Sequence, residues 1–249
     1  MYNHKVVRKW YKKNKTVLCA QNDTQKQQYR KKDNFQEEKQ MYGFENETFL
    51  NVLHGAVDNI EVIKEVLDKA SEKGYENIFL IGTGGTYSML SPLSYMLKTN
   101  STLEWYYDIA AEFVKAKPKK LTEKSLMITA SLSGDTKETV EAAEYAVSAG
   151  AQVIAFVGSA DSPLGKAATY PIANAASNDN LVEEIHIQLF ALGALLMKRN
   201  GEFEQCDRFL DNLRRMPEVL LKVREQNDER ALAFAKKHKD TKFHMFVGA

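Results

Sequence analysis

Ser125-Leu126-Met127-Ile128-Thr129-Ala130-Ser131-Leu132-Ser133-Gly134-Asp135-Thr136-Lys137-Glu138-Thr139 is the stretch on which the reading of this chain turns. Its apolar run, Leu126 to Ala130, breaks into Ser131-Leu132-Ser133-Gly134-Asp135-Thr136. The pattern then becomes Ala-rich and helical from Val140 to Ala149. A buried strand that delivers hydroxyls and a glycine to a helix N-terminus makes an anion site. The first-turn amides of a helix lack intrahelical partners, and the aligned peptide dipoles add partial positive charge there. Phosphate is held at such a turn without any Lys or Arg. Ser and Thr hydroxyls complete the cradle, and Gly134 lets the backbone approach closely.

Working outward, strands and helices alternate. Helical spacing of Phe49, Val52, Leu53, Val57, Ile60, Ile63 and Leu67 predicts a helix over 48–73, with Gly74 as its stop. Ile78-Phe79-Leu80-Ile81 is a continuous apolar strand that ends in Gly82-Thr83-Gly84-Gly85-Thr86-Tyr87-Ser88. A helix to about Lys98 follows, with Pro92 near its first turns. Leu103–Ile109, Leu126–Ala130, Gln152–Val157 and Thr169–Ala173 read as the remaining strands. Ser162-Pro163 has the chemistry of a helix start. Fully hydrophobic strands that alternate with helices indicate a three-layer, doubly wound α/β fold around a five-stranded parallel sheet. With the flavodoxin-like order 2-1-3-4-5, the ligand crevice lies outside the carboxyl ends of the first and third strands. Those are the strands that end in GTGGTYS and SLSGDT.

Bulk properties exclude several classes. The chain has 249 residues, 44% hydrophobic and 27% charged, as in an ordinary globular protein. The formal charge of +1 argues against a nucleic-acid or membrane surface. Residues 1–40, however, hold 11 Lys/Arg against 4 Asp/Glu, a net of +7, so the remaining 209 residues carry −6. That first segment reads as a basic disordered tail, or as spurious upstream sequence before a start at Met41. No secretory h-region is visible. The apolar helix at 181–198 is too short and polar to span a bilayer. Cys19 and Cys206 have neither metal-ligand nor disulfide spacing. Reduced thiols in a cytoplasmic protein are the expectation.

After the helix 181–198 comes a charged helical block, about 202–239, and then Thr241-Lys242-Phe243-His244-Met245-Phe246-Val247-Gly248-Ala249. Phe246-Val247-Gly248-Ala249 lines up with Leu80-Ile81-Gly82-Thr83, and a long amphipathic helix precedes each. The expected organisation is therefore a core domain over 45–200, followed at 201–249 by a helical linker and the first strand of a truncated second copy.

The two loops, with Ala160-Asp161-Ser162-Pro163-Leu164 and Glu183-Glu184-Ile185-His186, resemble the sugar isomerase (SIS) domain family from about residue 45 onward. The nearest types are fructosamine-6-phosphate and fructoselysine-6-phosphate deglycases and the isomerase half of glucosamine-6-phosphate synthase. The resemblance implies a sugar-phosphate ligand held by Ser131, Ser133 and Thr136 with the Leu132 and Gly134 backbone. Thr86 and Ser88 would contribute from the first loop. It further implies metal-independent aldose–ketose chemistry without a cofactor, and a homodimer or higher homo-oligomer in the intact family form. The apolar helix 181–198 suggests pairing of copies through buried contacts. The glutamate- and histidine-bearing segment of the family's second domain has no match here.

Other candidates divide between roles. Glu184 and His186 could move a proton between adjacent sugar carbons, or form a structural hydrogen-bonding pair. Asp135 would repel phosphate if turned inward and suits a helix first turn instead. Lys137 could aid phosphate binding or simply be solvated. His54 reads as a surface or core residue of its helix. No metal constellation is present. The expected function is phosphosugar binding of the isomerase/deglycase type, in a chain that lacks its second catalytic half. A stand-alone sugar-phosphate sensor and an inactive gene fragment are the alternatives.

Overall fold

The computed structural model describes residues 44–175 and 180–246, so the basic segment 1–40 and the last residues of the 241–249 strand reading lie outside the described residues. Helix α1 (Asn46–Lys73) buries one apolar stripe, including Leu53, Ile60, Ile63 and Leu67, and stops at Gly74. It is followed by β1 (Asn77–Gly82), α2 (Gly85–Asn100), β2 (Glu104–Ile109), α3 (Ala110–Ala116) and β3 (Ser125–Ser131). Next come α4 (Lys137–Ser148), β4 (Gln152–Val157), α5 (Pro163–Ala167), β5 (Tyr170–Ala173) and α6 (Leu181–Arg199). The helical block expected over 202–239 is two helices, α7 (Cys206–Arg214) and α8 (Met216–His238). They break at Arg215, just ahead of Pro217, which suits a first helical turn but not an interior. Residues 241–246 join no helix and no ladder among the described residues.

The sheet has the order β2-β1-β3-β4-β5, with every adjacent pair parallel. Every residue of β1, β3 and β4 is buried, which explains why these three read as unbroken apolar runs. The side-chain period of two sends Ile78, Leu80, Leu126, Ile128 and Phe156 to one face, where α1, α2, α6 and α7 cover them. Phe79, Ile81, Met127, Val153 and Ala155 face α3, α4 and α5. On this second face α4 presents Ala142, Ala143 and Ala146, so it lies close to the sheet. Phe113 then fills the space beside Phe79, with ring centroids 5.5 Å apart.

Helix α6 buries 12 of its 19 residues inside this one unit, against α1 and α2. The apolarity that suggested pairing between copies is therefore consumed within the fold. Pro92 occupies the eighth position of α2 rather than its first turns. It removes a bond to the carbonyl of Ser88, which is exposed to water.

One carboxylate ties the sheet's far edge to the end of α6. Glu202 accepts hydrogen bonds from Ser101 Oγ at 2.6 Å and the Thr102 amide at 2.6 Å. Burial alone would raise its pKa, but the bonds from Ser101 and Thr102 outweigh that and hold it at about 2. The folded value lies below the unfolded one, so the contribution is complete above about pH 4.3 and vanishes as pH falls toward 2. At pH 7, Glu202→Gln is expected to lose roughly 1–2 kcal/mol, discounted for solvent screening. Melting curves of the two proteins should converge near pH 2; a gap that persists unchanged at that pH would contradict the assignment.

Candidate functional site

Pairing of Ile81 with Thr129 brings Gly82 and Ser131 out at the same edge of the sheet. This is the point where the strand order reverses, with β2 on one side and β4 on the other. The chain leaves β1 through Gly82, where an added Cβ would stand 2.6 Å from the Tyr87 amide; only glycine allows the helix to fold back so tightly. Thr86 lies in the first turn of α2 rather than in a loop. Its Oγ1 donates to the Thr83 carbonyl at 3.0 Å and accepts from the Thr83 amide at 3.3 Å. Ser88 sits one turn along, exposed. The turn is anchored to β2 by Tyr107, whose hydroxyl donates to the Tyr87 carbonyl while the two rings stack at 4.1 Å. Burial, followed by the neighbouring Tyr87, pushes the Tyr107 phenol up to about 12, so it serves as a neutral donor.

The second loop is shaped by its own hydroxyls. Ser131, buried, accepts from the Gly134 amide at 3.1 Å and shares a hydrogen bond with Thr136 Oγ1 at 3.0 Å. The Leu132 and Gly134 carbonyls are turned outward and accept from the Gly158 and Leu164 amides at 3.0 and 2.8 Å. Gly134 has φ +67°, a left-handed conformation, and its Cα packs directly against Ser162. Ser133 and Asp135 are exposed, and Thr136 is half-buried. Lys137 reaches toward Glu141 at 3.8 Å in a solvent-facing pair.

Thr136 is the N-cap residue of α4, yet its side chain makes no cap bond because it is committed to Ser131. The first bonds to that helix end come from the Thr139 and Val140 amides. The Lys137 and Glu138 amides stand ahead of them. Helix α2 likewise begins at Gly84 without a side-chain cap. By contrast α5, at the neighbouring loop, is capped by Ser162 Oγ, which accepts from the Gly165 amide at 3.2 Å. Two helix N-termini thus open uncapped at one switch point.

A threonine pair that the sequence reading missed joins the two loops: Thr83 Oγ1 and the buried Thr139 Oγ1 are 3.1 Å apart. A threonine on the buried face of an Ala-rich helix was the only local signal of it. Glu184 and His186 lie at the start of α6 but do not form a pair. Two residues along a helix turn the side chains by about 200°. Glu184 is fully buried and accepts from the Ala175 amide at 3.1 Å. His186 is half-buried with its ring 6.1 Å from Phe190; burial lowers its pKa and Glu183 partly restores it. His54 ties α1 to α8 through Glu218 at 2.9 Å. Among the described residues, no group of three or more His, Cys, Asp or Glu could hold a metal ion. No helix there is long and apolar enough to cross a membrane.

Known proteins resemble this chain in sequence and fold. Fructosamine deglycase FrlB of Bacillus subtilis is 31% identical over 181 residues, which cover 71% of this chain and 54% of that protein. The glutamine–fructose-6-phosphate aminotransferase (isomerizing) of Thermotoga maritima is 26% identical over 212 residues, covering 81% of this chain and 34% of that one. The chain thus spans about half or less of the length of these curated relatives. Among solved structures, a candidate phosphosugar isomerase from Salmonella typhimurium superposes with a TM-score of 0.64 at 29% identity, over 75% of this chain and 57% of that one. The family model of the SIS domain matches residues 73–198, half of the chain and the whole of its five-stranded sheet. The chain belongs to the SIS domain family.

Proposed function

We propose that this chain binds a phosphorylated sugar of the ketose or fructosamine type, with the phosphate on the 131–136 loop. The observation that carries the reading is the pair of uncapped helix N-termini at the β1/β3 switch point. In this reading Ser133, Thr136 and the first-turn amides of α4 contact the phosphate oxygens. Ser131 and Thr86 hold the two turns in shape, the Leu132 and Gly134 backbone forms the floor, and Ser88 faces the sugar side. Lys137 lends charge from solvent. The dianion is preferred, so affinity falls below about pH 6, where phosphate takes up its second proton.

The relatives' names supply the reaction class: a proton shift between adjacent sugar carbons, or release of an amine from a fructosamine. We assign Glu184 to structure rather than to that proton. His186 is the remaining titratable candidate on α6, and Asp135 is exposed beside the anion. In this reading the described residues bind rather than turn over, and addition of 6-phosphofructosamine to this chain should release no amine above the uncatalysed rate. A cytoplasmic setting agrees with the buried free thiol of Cys206.

Calorimetric titration tests the binding claim. Fructose 6-phosphate should bind the wild type, and unphosphorylated fructose should not. Ser133→Ala should weaken binding roughly tenfold and Thr136→Val more, since each lost charge-assisted hydrogen bond is worth about 1.5–3 kcal/mol. Equal affinities of the wild type and both variants would sink the proposed cradle.

A further inference from the structure

The turn that leads from β1 into α2 has little of its own to hold it. Three of the four residues from Gly82 to Gly85 are glycine, and Gly84 has φ +57°. A Cβ added at Gly84 or Gly85 would meet nothing within 4 Å, so the space in front of the α2 N-terminus is open. Glycine loses more conformational freedom on ordering than any other residue. Side chains from neighbouring elements must therefore fix where α2 begins. Tyr107 does so from β2, through its hydroxyl on the Tyr87 carbonyl and its ring on the Tyr87 ring.

From the α4 side the anchor is Thr139. Its Oγ1 lies 3.1 Å from Thr83 Oγ1, and this is the one hydrogen bond, among the described residues, between residues 83–88 and residues 132–139. Thr83 is half-buried, and its amide and carbonyl both bond to Thr86 Oγ1. Hydroxyl contacts thus run without a break from the first turn of α2 to the first turn of α4. Thr139 itself is fully buried, on the face of α4 that carries Ala142, Ala143 and Ala146. It cannot reach a ligand, so any effect it has on binding passes through Thr83. A sugar phosphate seated on the 131–136 loop, with its sugar toward Ser88, must meet both helix ends at once. Inorganic phosphate meets the α4 end alone.

We infer that Thr83 and Thr139 are positioning residues whose bond sets the spacing of the two helix ends, and with it the affinity for a ligand that spans them. This role rests on the phosphate site proposed above. Without the bond the ligand must itself order the glycine turn, and that cost is taken from its affinity. Calorimetric titration of the full chain with fructose 6-phosphate, and displacement of that ligand by inorganic phosphate, test it. Thr139→Val keeps nearly the same volume and removes the hydroxyl. It should weaken fructose 6-phosphate about five- to tenfold, the net worth of one hydrogen bond, and leave inorganic phosphate within about twofold. Thr139→Ser restores the hydroxyl and should bind both ligands within about threefold of the wild type. Thr83→Val should match Thr139→Val, and the double variant should be no weaker than either, because all three lose the same bond. A loss shared equally by the two ligands overturns the inference, since the damage then lies in the phosphate loop itself. So does a Thr139→Ser protein as weak as Thr139→Val, or a double variant in which the losses multiply. A wild type that binds neither ligand overturns the phosphate site and the positioning role together. Intact phosphate binding with a Thr139→Val protein that holds fructose 6-phosphate like the wild type overturns the positioning role alone.

Discussion

Gly134→Ala is expected to abolish the proposed sugar-phosphate binding, a loss of at least a hundredfold, while the protein remains folded. Two costs combine at this position. The residue has φ +67°, where a side chain adds roughly 1–2 kcal/mol of backbone strain. The added Cβ would also stand 2.1 Å from Ser162 Oγ and 2.4 Å from Ser162 Cβ. Ser162 cannot swing clear without giving up its cap on the Gly165 amide, and the Gly134 carbonyl is held by Leu164 at 2.8 Å. The loop must therefore leave its place, taking Ser133 and Thr136 off the helix end. Two-state unfolding should register a decrease of about 2–4 kcal/mol, the usual size for combined strain and overpacking. A second variant separates the causes. Ser162→Gly removes the colliding atoms at a cap cost of a few tenths of a kcal/mol. Gly134→Ala/Ser162→Gly should then recover part of the affinity. Binding by Gly134→Ala within twofold of the wild type would put the phosphate somewhere other than this loop.

That contact shows where sequence reading succeeds and where it stops. The three central strands were legible because burial on both faces leaves an unbroken apolar run, as in Leu126 to Ala130. The order of strands followed from their alternation with helices, and the two hydroxyl-rich loops fell on the switch point that this order creates. What the loops do with their hydroxyls was not legible. Three hydroxyls in Ser131-Leu132-Ser133-Gly134-Asp135-Thr136 look equivalent on paper. In the fold, Ser131 and Thr136 bond to each other, and of the three only Ser133 is exposed. Gly134 was chosen for close approach to a ligand, but its nearest constraint is Ser162, 28 positions away, which no local pattern encodes. The Thr83–Thr139 bond spans 56 positions and was invisible for the same reason. The break between α7 and α8 did have a local signal, Pro217, inside a block otherwise uniformly charged and helical.

Glu184→Ala is expected to destabilise the fold more than it disturbs ligand binding. The carboxylate is fully buried, and its Oε1 takes the Ala175 amide at 3.1 Å. Its own amide donates to the Asn180 carbonyl at 3.2 Å. One turn further, Gln188 Nε2 donates to Asn174 Oδ1 at 2.9 Å, and Asn59 Nδ2 reaches the same oxygen at 3.3 Å. These side chains fasten the end of β5 to the first turns of α6. Truncation at Glu184 orphans the Ala175 amide and opens a cavity, each worth roughly 1–3 kcal/mol. The sum, about 3 kcal/mol, lowers the midpoint of thermal unfolding by roughly 6–12 °C for a domain of this size. Glu184→Gln keeps both the volume and an acceptor oxygen, so it should lose less than half as much. At 20 °C, on the order of tens of degrees below such midpoints, both variants should bind fructose 6-phosphate within about threefold of the wild type. His186→Ala, on another face of the helix, should change stability by less than about 1 kcal/mol. The opposite pattern would reassign the residue. If Glu184→Gln melts with the wild type and loses the ligand, its carboxylate faces the sugar, and the proton-transfer reading of Glu184 returns in place of the structural one.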